Sequence, residues 1–184
     1  MSVLEVRRHA ERAMATPLSE RGEAAAAALA GQRYALVVSS PLERAKRTAE
    51  LVGGRLDAIE AGLLPDIGGA GVFGSMPTLA DWRALLRSDP KARDFAHEQL
   101  ATWARLAGRV GPKERVLAVS HGGIIDLPIV ALADELGIAV DGPSFANLEG
   151  AVITYDLKKR TKLELLRISA RDAAWPPSGA APLR

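Results

Sequence analysis

The chain has 184 residues, 48% of them apolar, and sets 24 Lys+Arg against 22 Asp+Glu for a formal charge of +2. That length supports one domain with a sizeable core; the apolar content and near-even charge argue against global disorder, and because the one dense basic run, Lys158-Lys159-Arg160-Thr161-Lys162, reads as a solvated hairpin tip, no nucleic-acid partner is expected. With no cysteine, disulfides, thiolate catalysis and Cys-ligated zinc are excluded; with Glu5, Arg7 and Arg8 near the start and no apolar run of spanning length, a cytoplasmic protein with no membrane partner is expected.

Residues 3–8 read as a short strand ending in Arg7-Arg8-His9-Ala10. Between Thr16 and Gly31 the pattern predicts a helix with Ser19 as N-cap, Glu20 and Glu23 at the positive end of the dipole and Gly31 as stop. Residues 34–39 form a continuous apolar strand, as suits a parallel sheet covered on both faces. Ser40, Pro41 and Glu43 then read as N-cap, first-turn proline and capping-box glutamate of a helix to about Gly53, which puts Arg44 in its first turn.

Residues 54–77, with four glycines between 68 and 74, read as an irregular mobile loop. Helices are expected at 78–87, ended by Pro90, and at 92–108. Residues 115–120 are a second buried strand that runs into His121-Gly122-Gly123, followed by helix to about Leu136, kinked or started at Pro128. Segments 151–157 and 163–169 alternate and predict an antiparallel hairpin around a solvated basic tip at 158–162. Residues 1–169 thus form one domain, and 170–184 an extended or disordered tail. The expected architecture is a three-layer α/β/α sandwich with a mostly parallel central sheet and a C-terminal hairpin.

Three strand-end loops present Arg8-His9, Arg44 and His121. In a parallel sheet these ends share one edge, where guanidiniums and imidazoles suit a phosphoryl group. Ser120 and the backbone at Gly122 are further candidates for substrate contact, whereas Arg7 points to the other face and His97 reads as a solvated helix residue.

The segments Arg8-His9-Ala10, Pro17-Leu18-Ser19-Glu20-Arg21-Gly22, Ser39-Ser40-Pro41-Leu42-Glu43-Arg44-Ala45 with Thr48-Ala49-Glu50, and Val119-Ser120-His121-Gly122-Gly123 resemble the signatures of the histidine phosphatase superfamily, also called phosphoglycerate-mutase-like, in order and spacing. The resemblance implies a metal- and cofactor-independent, histidine acid-type phosphatase. In it His9 attacks phosphorus and forms a phosphohistidine that water hydrolyses, while Arg8, Arg44 and His121 hold the phosphoryl oxygens. A mutase, a phosphohistidine-protein phosphatase and a non-catalytic phospho-ligand module are the alternatives.

Relatives usually take the leaving-group proton from a glutamate in Leu-x-Glu-Ile; here Leu64-Pro65-Asp66-Ile67 makes Asp66 the candidate acid and Glu60 the fallback. A second departure is Ala10 in place of the usual glycine, tolerable where the backbone avoids positive φ. The expected partner is a small phosphorylated substrate, selected in an apolar-leaning pocket whose fixed polar anchors are Arg83, Arg87 and Arg93. The hairpin edge and Pro-rich tail offer surfaces for a homodimer.

Overall fold

A computed structural model describes residues 1–64, 76–156 and 159–168. Six strands form one sheet: β1 (Ser2–Arg8), β2 (Leu36–Ser39), β3 (Ala58–Ile59), β4 (Arg115–Ser120), β5 (Gly150–Asp156) and β6 (Lys159–Leu166). Their order is β3-β2-β4-β1-β5-β6; the first four run parallel, and β5 and β6 continue antiparallel.

The helices are α1 (Glu20–Ala28), α2 (Glu43–Gly53), α3 (Leu79–Ser88), α4 (Pro90–Ala107) and α5 (Asp126–Leu136). Strand parity assigns the layers. Leu4, Val6, Val38, Val116 and Ala118 join the α3–α5 core, while Val37, Leu117 and Val119 join Ala26, Ala45, Ala49 and Val52 of α1 and α2 on the other face. Because both faces are covered, the central strands can be apolar throughout, and the expected three-layer sandwich with its C-terminal hairpin is what forms.

Most boundaries fall close to expectation. Ser19 caps α1 by accepting from Gly22 N–H, and Thr78 and Asp81 close a capping box on α3. Pro128 sits in the first turn of α5, where its missing N–H has no intrahelical partner to lose.

Four expectations are corrected. First, α2 starts at Glu43 after Leu42, with no side-chain cap, because the Ser40 hydroxyl bonds elsewhere. Second, the segment after α2 is partly regular, with β3 beside β2 and a 3₁₀ turn at Ala61–Leu63 capped by Glu60. Third, Pro90 begins α4, so Asp89 ends one helix and caps the next. Fourth, the basic run belongs largely to β6, with Lys159 opposite Asp156, Arg160 opposite Tyr155 and Lys162 opposite Thr154. Residues 65–75, with the glycine cluster and Asp66, and the tail from 170 lie outside the described residues.

Candidate active site

Parallel register brings the three strand ends together. Arg8 is level with Ser120, and Ser39 with Val119. One residue further, His9 N–H donates to Ser120 O at 2.9 Å and Ser40 N–H to Val119 O at 3.0 Å. His9, Ser40 and His121 therefore sit side by side at the carboxyl edge, where α/β sheets bind ligands.

The two imidazoles lie with centroids 5.1 Å apart, inclined by 58°, and both residues are buried. His9 Nδ1 is 2.7 Å from Ala10 O. A carbonyl only accepts, so Nδ1 carries the proton and Nε2 presents a lone pair, to which Arg44 Nε–H donates at 3.0 Å. Loss of water around His9, opposed by the Ala10 bond and reinforced by the charges of Arg44, Arg8 and Arg12, pushes its pKa down to about 4. His121 is pushed down to about 3 by burial, then by His9, Arg44 and Arg8. Both rings are neutral at pH 7.

The surrounding backbone is tied down. Thr48, inside α2, accepts from Ala10 N–H at 3.0 Å and donates to Arg44 O at 2.7 Å, fixing the loop after β1 to the helix that carries Arg44. The Ala10 methyl is buried in the α1–α2 core, and Ala10 is not among the residues with positive φ, so its departure from glycine is accommodated. Asn147 Nδ2 donates to His9 O at 2.8 Å from a loop in which Leu148 takes φ 66°, a left-handed conformation stored beside the site.

Arg8 Nη1 donates to Phe145 O at 2.7 Å, and its Nε is buried without a partner among the described residues. Gly122 lies against this guanidinium: a Cβ there would be 2.8 Å from Nη1 and 2.9 Å from Cζ. The carboxylate of Asp126, 1% exposed, bridges Gly123 N–H at 2.7 Å and Phe145 N–H at 2.8 Å, so one buried acid joins the diglycine loop to the carbonyl that holds Arg8. Burial raises the Asp126 pKa against these two bonds. His121 Nδ1 is likewise buried and unpartnered. An orphaned buried polar group costs about 1–3 kcal/mol, and an unpaired donor here is what an anion would satisfy.

The structure thus brings together Arg8, His9, Arg44, His121 and Gly122. Ser120 is directed away from them: fully buried, its hydroxyl donates to Leu63 O at 2.7 Å and holds the 3₁₀ turn against β4. Glu60 sits next to the end of β2, but its carboxylate pairs with Arg105 at 2.8 Å. That bond holds its pKa below the ordinary value, the reverse of what a proton donor needs. Arg7 is structural, joined to Glu5 and Leu148 O, and His97 is exposed on α4.

The expected anchors Arg83, Arg87 and Arg93 lie apart. Arg83 pairs with Asp134, while Arg87 and Arg93 line a cleft of about 410 Å³ with His97, Asp134 and Glu135 that includes none of the site residues. Sequence reasoning missed Asn147, Asp126, the roles of Thr48 and Ser40 and the electrostatic influence of Arg12. Of these, Arg12 had a signal in its position three residues after His9.

The fold is that of the phosphoglycerate-mutase-like class. Residues 4–69 match the sequence model of the Histidine phosphatase superfamily (branch 1), a stretch that contains the segments around His9 and Arg44. Phosphoserine phosphatase from Entamoeba histolytica, solved with 3-phosphoglyceric acid, is similar in structure at TM-score 0.64 and 16% identity, covering 95% of this chain and 100% of that one. A mycobacterial glucosyl-3-phosphoglycerate phosphatase gives 0.61 at 23% identity (92% and 100%). Phosphoglycerate mutase from Bacillus anthracis gives 0.60 at 20% identity (90% and 92%). Among curated proteins none is a significant sequence match.

Proposed function

We propose that the protein is a phosphatase that hydrolyses a small phosphomonoester through a phosphohistidine on His9. The observation that carries this is the neutral, Nδ1-protonated His9, whose Nε2 lone pair lies among Arg8, Arg44 and His121. The phosphoryl oxygens draw the Arg44 N–H away from Nε2, which frees the lone pair. Nε2 then attacks phosphorus as the ester P–O bond breaks, and the departing oxygen takes a proton. Water attacks the phosphorus of the phosphohistidine next and returns a proton to the carboxylate that protonated the departing oxygen; the P–N bond breaks, and phosphate leaves with His9 neutral again. Arg8, Arg44 and His121 stabilise the charge on the equatorial oxygens, with no metal in the scheme. Asp66 is the proposed proton donor, a role that Glu60, paired to Arg105, is poorly set to fill.

Incubation with a phosphate ester followed by denaturing quench should trap an acid-labile, base-stable phosphoryl group that is absent from His9→Asn. Absence of both the adduct and phosphate release across an ester panel would overturn the proposal. Interconversion of phosphoglycerate isomers faster than phosphate release would make the protein a mutase instead.

A further inference from the structure

Ser40 occupies a position whose sequence context assigns it to capping α2, yet α2 begins three residues later without a side-chain cap. Its side chain is fully buried, and its Oγ lies 2.6 Å from His121 Nε2, its one hydrogen-bond partner among the described residues. Two arrangements fit that distance. In one, Nε2–H donates to Ser40; the serine proton is then left buried without an acceptor, and Nδ1 keeps a lone pair. In the other, Ser40 O–H donates to Nε2, and the ring's proton sits on Nδ1, the buried nitrogen that has no partner among the described residues.

We infer that Ser40 is a positioning residue that fixes His121 as its Nδ1–H tautomer, turning an imidazole into a dedicated donor for a bound phosphoryl oxygen. Only this arrangement gives every hydrogen of the pair a role, the last being satisfied when an anion binds. The neutrality of His121 makes the choice matter, since a doubly protonated ring would donate from either nitrogen. It also gives the two histidines opposite tasks with the same tautomer. His9 turns its Nδ1–H to the backbone and keeps Nε2 as the electron pair, whereas His121 has Nε2 filled by Ser40 and keeps Nδ1–H as the donor.

The identity of the anion rests on the phosphatase reading, but the tautomer does not. The chain has three histidines, so ring ¹⁵N NMR of the intact protein can be assigned by single replacements. At pH 7 His121 is expected to show a protonated Nδ1 and an unprotonated Nε2, with the Nδ1 signal moving when inorganic phosphate is added. Ser40→Ala should release the ring into a tautomer mixture and weaken phosphate binding about tenfold, the effect of one mispositioned charge-assisted bond. Ser40→Thr should restore both. A proton on Nε2 in the native protein, or an unchanged tautomer in Ser40→Ala, would overturn the assignment. Because the native spectrum decides alone, an unstable variant does not remove the test. A protein with the expected tautomer that binds phosphate yet never phosphorylates His9 would support the Ser40 assignment and overturn the phosphatase reading.

Discussion

Gly122 and Arg8 are in contact across two strand-end loops, and the contact leaves no room for a methyl group. In Gly122→Ala the obstruction is the end of a side chain, so the guanidinium gives way before the backbone does. The expected outcome is phosphate affinity reduced at least about tenfold with stability changed by less than about 1 kcal/mol, read by phosphate titration and urea unfolding on one sample. His9 invites a different measurement. An unperturbed imidazole would be mostly protonated at pH 5, but burial and the nearby guanidiniums bring His9 to about 4. NMR titration of the free protein should find it neutral at pH 5; a midpoint near 6.5 would contradict the enclosed geometry.

At the scale of elements, the site is assembled by contacts between segments far apart in sequence, and Asp126 shows how. It ties the loop before α5 to the loop before β5 through two backbone N–H groups. Asp126→Ala leaves both buried donors unpaired and should cost about 2–4 kcal/mol in urea unfolding while displacing Phe145 O from Arg8. Asp126→Asn keeps an acceptor for one donor and should cost less. Such a role was not readable beforehand, because an aspartate at the start of a helix looks like an ordinary dipole partner. The helices and buried strands were readable, since their apolar periods and caps are local. Ser40 was misread for the same reason: serine before Pro41 satisfies every local rule for a cap, and His121, 81 residues away, outcompetes it. Strand β3 is two residues long and carries no period at all.

Across the whole molecule, burying two neutral imidazoles makes stability depend on pH. Both folded pKa values lie below the ordinary 6.5, so between there and the folded values the unfolded chain holds more protons. Stability is then full above about pH 6.5, declines as pH falls toward about 4 for His9 and about 3 for His121, and is flat below. A drop from 6.5 to about 4 at ~1.4 kcal/mol per unit is roughly 3 kcal/mol for His9. Comparing unfolding of the native protein and His9→Asn at pH 7.5 and 4.5 isolates this part, and identical pH slopes would refute it. The parallel arrangement was legible from continuous apolar strands, but the strand order was not, because nothing local says that β4 lies between β1 and β2. That order has a consequence for the nascent protein. Strand β1 leaves the ribosome first, yet its neighbours are residues 115–120 and 150–155, and the loop that grips His9 O and Arg8 O comes from 147–148. At ~5–20 residues per second, roughly 7–30 s separate the synthesis of His9 from that of the loop that seats it. A growing chain therefore carries its imidazole solvated and outside the finished site, and the proposed phosphate chemistry has to wait until the last strands pair.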